Sequence, residues 1–214
     1  MPIIALVNQK GGCSKSTTAV HLCYWLLAKT NKRVLLVDAD AQRSSSTWVQ
    51  SLEIDTQFKV MQSPDELLES LPELAENTDY VIVDGPAGLS EATRAILFRA
   101  DLAIIPCQPT GVDLHSATDT VRLIRQAQSV RQGHPKGAMF ISRAVKGTKL
   151  LDEALAFLQK ISEITTLKSV ICQKQVVADT FGQGATVWEM SGRPAKESAR
   201  EYEALFKELL GLMT

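Results

Sequence analysis

The segment NQKGGCSKST at residues 8–17 constrains the fold of this chain more than any other feature. It lies between an apolar run at residues 3–7 and a helix-forming run at residues 18–28. Gly11 and Gly12 allow main-chain N–H groups to turn inward around an anion, and the positive N-terminal end of a following helix attracts the same charge. A strand, a glycine pair and a helix in this order therefore predict a phosphate-binding loop.

Two lysines lie on either side of the glycine pair and have different expected roles. Lys15 is placed to reach the β- and γ-phosphates of a nucleotide, and the Ser16 hydroxyl is placed to ligate Mg²⁺. Lys10 precedes the glycines and is free to point outward, toward a second nucleotide across an interface. Ser14 replaces the glycine that usually precedes the second lysine, so the spacing fits K-G-G-x-x-K-S/T. We expect nucleotide contacts from Lys10, Gly11, Gly12, Cys13, Ser14, Lys15, Ser16 and Thr17.

Two further apolar runs end in carboxylates. The run at residues 34–37 leads into Asp38 and Asp40, and the run at residues 80–83 leads into Asp84. Open α/β sheets bind ligands at the carboxyl ends of their strands, so these acids are expected beside the loop. One of Asp38 and Asp40 could order an attacking water while the other reaches the Mg²⁺ shell, and Asp84 is placed to hold a metal-bound water. Solvated acids at a plain strand exit are the alternative explanation of each run taken alone.

The three motifs together resemble the ParA/MinD family of deviant Walker ATPases, and most of all its short ParA branch, which partitions plasmids and positions cellular cargo. Lys10 is similar in position to the family's signature lysine, and Lys15 to its phosphate lysine. Residues 38–40 resemble its switch I, and residues 84–86 resemble its Walker B and switch II region. The resemblance covers residues 2–210, which is nearly the whole chain.

The resemblance implies a nucleotide cycle with ATP and Mg²⁺ as cofactors. ATP would join two subunits into a homodimer, with Lys10 of each subunit reaching the phosphates of the other. Asp40 is the first choice for ordering the attacking water in that cycle, and Asp38 supports it. Ser14 and Ala41 depart from the family pattern, which has a glycine and frequently a proline at these positions. Both exchanges are candidates for an altered hydrolysis rate or nucleotide affinity.

The same resemblance implies that the dimer binds DNA without sequence preference, so that the cytoplasmic protein is nucleoid-associated when ATP is bound. An adaptor protein of the ParB, ParG or McdB type would stimulate hydrolysis and release the dimer. The cargo stays open between a plasmid, a protein organelle such as a carboxysome, and a chemosensory cluster. The alternatives are a metabolic ATP-dependent enzyme resembling dethiobiotin synthetase and a membrane-associated ATPase resembling MinD.

A net charge of −1 hides an uneven distribution of charge along the chain. Residues 120–151 hold seven of the 23 basic residues and none of the 24 acidic ones. Such a basic region favours nucleic acid as a partner. The alternative is a solvated surface in which one or two of these groups contact the nucleotide. We expect DNA contacts from Arg122, Arg125, Lys146 and Lys149, and a nucleotide contact from Arg143.

Predicted strands and helices alternate along the chain. Strands are expected near residues 2–8, 33–38, 57–62, 79–84, 101–106, 137–142 and 166–171. Helices are expected near residues 15–29, 44–51, 64–75, 90–99, 112–131, 149–161 and 194–212. This alternation predicts an α/β fold, a single wound and mostly parallel sheet with helices on both faces, in one domain spanning residues 1–214. Ser63, Pro64 and Glu66 mark one helix start as a capping box.

Two segments near the C-terminus have alternative interpretations. Residues 173–180 follow the last strand, where they would contact the nucleotide base or a second subunit, or else form plain surface. Residues 196–210 are amphipathic at helical spacing. Core packing is the preferred interpretation, because membrane-surface helices carry a basic face and residues 195–214 have three basic and four acidic side chains.

The remaining composition favours a cytoplasmic protein. No apolar run is long enough to span a membrane, and no signal peptide is apparent at the N-terminus. Four cysteines without a C-x-x-C spacing indicate reduced thiols. Cys13 is the candidate for a reactive thiol, because it lies near a helix N-terminus, where the pKa of a thiol can be lowered, and an inert loop side chain is the alternative. Trp25 and Trp188 are expected in the core or at an interface.

Overall fold

The computed structural model describes residues 1–213, which contain seven strands and eight helices. The strands are β1 (Ile3–Asn8), β2 (Val34–Asp38), β3 (Gln57–Val60), β4 (Tyr80–Ala87), β5 (Leu102–Cys107), β6 (Lys136–Ala144) and β7 (Thr165–Cys172). The helices are α1 (Lys15–Thr30), α2 (Ser44–Gln50), α3 (Pro64–Glu76), α4 (Glu91–Leu97), α5 (Gly111–Val130), α6 (Lys149–Leu158), α7 (Gln175–Gly182) and α8 (Arg193–Gly211). Every predicted strand and helix is found close to its expected position.

All seven strands are parallel, in the order β3-β2-β4-β1-β5-β6-β7. This confirms the predicted wound α/β fold. Strands β2, β3 and β4 lie on one side of β1 in the sheet, and strands β5, β6 and β7 lie on the other side. The strand order therefore reverses near β1, and wound sheets bind ligands at such a point. Asp84 lies within β4, level with Asp38 of β2 and with Leu6 of β1. The glycine-rich loop, Asp38 and Asp84 therefore lie together near the carboxyl ends of these three neighbouring strands.

Helices cover both faces of the sheet, and each face holds its own buried core. Helices α3, α4, α5 and α6 contribute to one core, and α1, α2 and α8 contribute to the other. Alternate residues of β1 divide between them, with Ile3, Ala5 and Val7 in the first core and Ile4 and Leu6 in the second. Burial on both faces explains why the strands are continuous apolar runs in the sequence.

The C-terminal helix α8 packs into the second core, as its amphipathic pattern predicted. Tyr202, Leu205, Phe206 and Leu209 on one side of this helix are buried. Trp25 of α1 is also buried, with its ring 5.7 Å from that of Phe206, which confirms its interpretation as a core residue. None of the helices described is both long and apolar enough to cross a membrane.

Two local features differ from the prediction. Helix α7 was not predicted, because it has only eight residues and no side chain caps its N-terminus. Ser63 and Pro64 do occupy the N-cap and first-turn positions of α3. The predicted capping box is nevertheless wrong, since the Ser63 side chain makes no capping hydrogen bond. Asp65 and Glu66 instead place negative charge in the first turn, where the helix dipole favours it.

Candidate nucleotide-binding site

The loop between β1 and α1 turns at two residues with left-handed backbone conformations. Gly12 has φ of 74° and Ser14 has φ of 78°. Glycine adopts this conformation without steric cost, whereas a residue with a Cβ atom does not. Ser14 stands directly before α1, and its side chain makes no capping hydrogen bond that would offset this cost. The replacement of the usual glycine therefore leaves local strain in the loop.

Lys15 lies inside the loop instead of extending into solvent. It is buried, and its Nζ donates a hydrogen bond of 3.0 Å to the carbonyl oxygen of Lys10. The Gly12 carbonyl oxygen accepts hydrogen bonds from Gln108 Nε2 at 2.9 Å and from the Arg143 guanidinium at 3.3 Å. The structure thus brings Arg143 to the loop, where a nucleotide contact was predicted. Gln108 was missed, because no local pattern links the end of β5 to the loop.

Lys10 is not the free cation that the sequence suggested. Its Nζ lies 2.7 Å from Oδ2 of Asp113, in the first turn of α5. The Lys10 side chain is 39% exposed, whereas that of Asp113 is 2% exposed. Lys10 is therefore held by a buried carboxylate of its own chain, a contact that no local sequence signal could have indicated.

Cys13 is fully buried, which makes the expectation of a reactive thiol wrong. Burial raises the pKa of this thiol, and the opposing effect of the nearby Lys15 charge is smaller. Desolvation therefore outweighs any lowering of the pKa by the helix end. The Cys13 carbonyl oxygen accepts a hydrogen bond of 3.0 Å from Ser142 Oγ, so Cys13 anchors the loop to β6.

The two acids after β2 differ in their surroundings. Asp38 is buried, and its two carboxylate oxygens accept hydrogen bonds from the backbone N–H groups of Asp40 at 3.1 Å and Ser46 at 2.8 Å. Asp40 is partly exposed and accepts backbone hydrogen bonds from Gln42 at 2.9 Å and Ala87 at 3.2 Å. Asp38 therefore fixes the turn that carries Asp40, and Asp40 joins the ends of β2 and β4.

Asp84 has the surroundings expected of a carboxylate that binds a cation. It is fully buried, and across the described residues neither carboxylate oxygen has a hydrogen-bond partner of normal geometry. Burial raises the pKa of Asp84 to about 7, while the nearby Ser16 and Ser45 hydroxyls oppose this rise. A buried carboxylate without partners is costly unless it is neutralised or binds a metal ion. Asp84 and the Ser16 hydroxyl are hard oxygen ligands, which fit Mg²⁺.

A cavity of about 720 Å³ opens beside these groups at the carboxyl edge of the sheet. Its polar wall includes loop residues together with Asp40 and Arg143. Another part of the wall comes from the end of β7 and the start of α7, with Gln173, Lys174 and Ala178. Part of the segment 173–180 therefore lines the cavity, and its contact with a nucleotide base stays a prediction.

An aromatic part of the cavity wall was not predicted from the sequence. Trp48 of α2, Phe181 of α7 and Tyr202 of α8 line it. The Trp48 indole donates a hydrogen bond of 3.0 Å to the Ala185 carbonyl oxygen, and its ring meets that of Phe181 edge-on at 5.6 Å. These side chains come from three distant helices, so only the tertiary fold brings them together.

The candidate DNA-binding residues do not line the cavity, and each one has an acidic partner. The ion pairs are Arg122–Asp119 at 3.0 Å, Arg125–Glu163 at 3.4 Å, Lys146–Glu201 at 3.0 Å and Lys149–Glu153 at 3.1 Å. The expectation of an unopposed basic region is therefore wrong. Acids from outside residues 120–151 pair with these four basic side chains, so the lack of acids within the range does not leave them unpaired. The basic side chains themselves are 60% to 89% exposed, so these pairs are of the weak, solvent-screened kind.

The fold and the loop define the class of protein. A parallel α/β sheet whose first strand leads into a glycine-rich loop and a helix, with a buried lysine in the loop and a buried acid on the neighbouring strand, is a P-loop nucleotide-binding protein. A family described as CobQ/CobB/MinD/ParA nucleotide binding domain matches residues 4–187. The chain belongs to this family, as a nucleotide-binding ATPase domain of the ParA/MinD type, which confirms the resemblance seen in its sequence.

Individual relatives agree with this assignment. The protein "Maintenance of carboxysome distribution protein A" from Gloeobacter kilaueensis is 31% identical over 97% of this chain and 93% of its own length. The solved structure of a variant of Cyanothece McdA in complex with ATP has a TM-score of 0.82 at 17% identity, covering 99% of this chain and 96% of that one. Cobyrinic acid a,c-diamide synthase from Mycobacterium smegmatis, with a bound ATP analog and magnesium, has a TM-score of 0.75 at 20% identity, covering 98% and 94%. Both solved structures share the fold.

Proposed function

We propose that this protein is an ATP-dependent dimerising switch that binds DNA without sequence preference and positions or segregates a cargo. The observation that carries the proposal is the buried loop lysine Lys15 close to the buried Asp84, whose carboxylate oxygens have no hydrogen-bond partner among the described residues. Lys15 and the loop amides would bind the phosphates of ATP, and Lys10 would reach the nucleotide of a second subunit.

Mg²⁺ would be held by the Ser16 hydroxyl and, through a water molecule, by Asp84, and when bound it would neutralise phosphate charge. Asp40 faces the cavity and is proposed to orient the attacking water. Asp38 is fully buried, unlike Asp40, and it accepts the backbone N–H groups of Asp40 and Ser46, so its proposed part is to fix the turn that presents Asp40. Arg143 is proposed to contact the nucleotide from the far side of the loop.

A second subunit is proposed to cover the face that carries Lys10. Val112, next to the Lys10 partner Asp113, is 70% exposed. Val145 and Leu150, which follow Arg143 in the chain, are 56% and 49% exposed. We propose that these exposed aliphatic side chains would be covered by the second subunit.

DNA is proposed to bind through Arg122, Arg125, Lys146 and Lys149. Their acidic partners sit in weak surface pairs, so DNA phosphates can replace them. The ATP-bound protein would then associate with the nucleoid in the cytoplasm. The G. kilaueensis relative is named for carboxysome distribution. On that ground we propose a carboxysome-type organelle or a plasmid as cargo, and an adaptor of the McdB, ParB or ParG type that stimulates hydrolysis.

Sedimentation velocity with ATP, with ADP and without nucleotide tests the switch, and binding to two DNA duplexes of unrelated sequence tests the output. We expect a dimer with ATP alone and equal binding of the two duplexes.

Lys15→Ala should abolish ATP binding, because the phosphates lose their main cation. Asp40→Ala should bind ATP and dimerise but hydrolyse it slowly. ATP hydrolysis by a wild-type protein that binds no DNA at low salt would contradict the proposal.

A metabolic ATP-dependent enzyme is the second candidate, and the aromatic wall of the cavity favours it. Trp48, Phe181 and Tyr202 give part of the cavity an aromatic wall, which would suit a small apolar substrate. This function predicts steady ATP turnover that depends on a small molecule and leaves no protein retained on DNA. Turnover measured with and without DNA therefore separates the two functions.

A further inference from the structure

The ion pair of Lys10 has an unusually buried acidic member. Asp113 is 2% exposed, and its Oδ2 accepts both the Lys10 ammonium at 2.7 Å and the hydroxyl of Thr110. Its other oxygen, Oδ1, has no hydrogen-bond partner in the part of the chain that the structure describes. Among those same residues, Lys10 is the cation that pairs with this carboxylate. The charge of Asp113 therefore depends on Lys10 for its neutralisation.

Asp113 is also fixed in place, because one face of α5 is fastened to the residues before the loop. Asp113, Ser116 and Thr120 lie on that face. The Ser116 hydroxyl donates a hydrogen bond of 3.2 Å to Asn8 Oδ1, and the Gln9 backbone N–H donates one of 3.2 Å to Thr120 Oγ. The carboxylate of Asp113 thus cannot follow the lysine if the lysine moves toward another molecule.

We infer that Asp113 is a positioning residue that holds Lys10 within its own subunit and opposes its transfer to the nucleotide of a second subunit. The inference rests on the proposed dimer. Once Lys10 leaves, a buried carboxylate stays behind without its cation, which is strongly unfavourable. The phosphates of the second subunit's ATP must offset this loss. Asp113 would therefore set the affinity between subunits, while Lys15 would set the affinity of each subunit for ATP.

The direct test is Asp113→Asn, which keeps the shape of the side chain and removes its charge. With ATP, the dimer dissociation constant should fall by about 5- to 150-fold, the usual range of coupling between sites. The affinity of the separate subunit for ATP, measured at low protein concentration, should be unchanged. Asp119→Asn is the matched control, because Asp119 lies on the same helix in an exposed pair with Arg122 and should change neither value.

A Lys10→Ala background separates a role through Lys10 from a merely structural role. Asp113→Asn should have no effect on dimerisation there, since the lysine that it releases is gone. If Asp113→Asn changed the dimer dissociation constant equally with and without Lys10, Asp113 would act through packing alone, and the inference would be wrong. A weaker dimer in the Lys10-containing protein would overturn it as well.

A second readout does not depend on dimerisation at all. In the nucleotide-free protein, the rate at which an amine-acetylating reagent modifies Lys10 should rise in Asp113→Asn, while the rate at the exposed Lys149 stays constant. An unchanged acetylation rate at Lys10 would refute the inference that Asp113 holds this lysine, whether or not the wild-type protein dimerises with ATP. Failure of the wild-type protein to dimerise would instead contradict the proposed function.

Discussion

Ser14 has the backbone conformation of a glycine, and it is the residue at which the loop is most strained. Ser14→Gly should stabilise the protein by about 1 kcal/mol. The left-handed conformation costs a residue with a Cβ atom about 1–2 kcal/mol, and the greater freedom of glycine in the unfolded chain cancels part of the gain. Urea unfolding measures the change.

Gly12→Ala is the matched control, because Gly12 has a similar φ of 74° and no atom lies within 4 Å of an added Cβ. It should destabilise by a similar amount through backbone strain alone. If Ser14→Gly leaves the unfolding midpoint unchanged, the strain at Ser14 is relieved in a way that its dihedral angles do not reveal.

His21 shows a different constraint on a single residue, a buried imidazole with both nitrogens in use. Nδ1 donates a hydrogen bond of 2.7 Å to the Thr17 carbonyl oxygen, and Nε2 accepts one of 3.2 Å from the Val187 N–H group. The ring stacks on Tyr202 at 4.5 Å. Burial lowers the pKa of His21 to about 4, so the folded protein keeps the imidazole neutral.

This pKa predicts how stability depends on pH. Between pH 6.5 and about 4 the unfolded chain binds a proton at His21 that the folded protein excludes. The contribution of the neutral His21 to the free energy of unfolding is therefore complete above pH 6.5 and is lost progressively as the pH falls toward 4. The total loss is about 3 kcal/mol, at about 1.4 kcal/mol per pKa unit. Urea unfolding across this range should show a shallower pH dependence for His21→Leu than for the wild type. Parallel curves would exclude His21 as the cause.

At the scale of elements, α8 protects the edge strand β7. Glu208 accepts hydrogen bonds from the backbone N–H groups of Lys168 at 2.7 Å and Ser169 at 3.0 Å, and from the Ser169 hydroxyl at 2.7 Å. Glu201 accepts another from the Cys172 N–H group at 3.1 Å. An edge strand with unpaired N–H groups is a template for pairing with another chain. The carboxylates of α8 therefore close an edge that would otherwise promote aggregation.

Glu208→Ala should destabilise the protein by about 1–3 kcal/mol, because it leaves partly buried donors without an acceptor. It should also raise light scattering during partial unfolding, as the edge of β7 becomes available. Glu203→Ala is the control on the same helix, since Glu203 makes an exposed i,i+4 pair with Lys207 and should change stability by less than about 0.5 kcal/mol. Equal effects of the two variants would show that Glu208 does not protect the edge.

The sequence predicted elements with strong local signals and missed contacts between distant elements. The glycine-rich loop and its flanking strand and helix were predicted because their signals lie within about 30 residues of one another. The Lys10–Asp113 contact was not, because its members are 103 residues apart and an aspartate in a helix's first turn is ordinary. The aromatic wall of the cavity was missed for the same reason. The site thus includes side chains that only the packing of α5, α7 and α8 brings together.

Over the whole molecule, some charges pair within one helix and others pair between elements that are far apart in the chain. Residues 120–151 contain no acidic residue, yet Asp119, Glu153, Glu163 and Glu201 each pair with a basic residue of that range. The pairs of Asp119 and Glu153 have helical i,i+3 and i,i+4 spacing, but a count along the sequence could not predict the other two, since Glu201 comes from α8 and Glu163 from the turn before β7. Under the proposed function, the affinity for DNA would therefore depend on how readily phosphates displace carboxylates at each position.

Two charge-reversal variants locate the DNA surface, Arg122→Glu with Arg125→Glu on α5, and Lys146→Glu with Lys149→Glu at the start of α6. Each phosphate contact contributes about −0.9 to the slope of log affinity against log salt concentration. A pair of side chains that binds DNA should therefore make the slope about 1.8 shallower per subunit when it is reversed. ATP binding is measured in parallel, because Lys146 shares Glu201 with Lys174 of the cavity wall.

The acidic partners supply the opposite change. Asp119→Asn with Glu163→Gln frees Arg122 and Arg125 without altering them, and should strengthen DNA binding if α5 lies on the DNA surface. Glu153→Gln does the same for Lys149 at α6. A surface that loses affinity on charge reversal and gains affinity when its acids are neutralised is in contact with phosphates. If both charge-reversal variants keep the wild-type slope and still bind ATP, DNA binds elsewhere on the molecule.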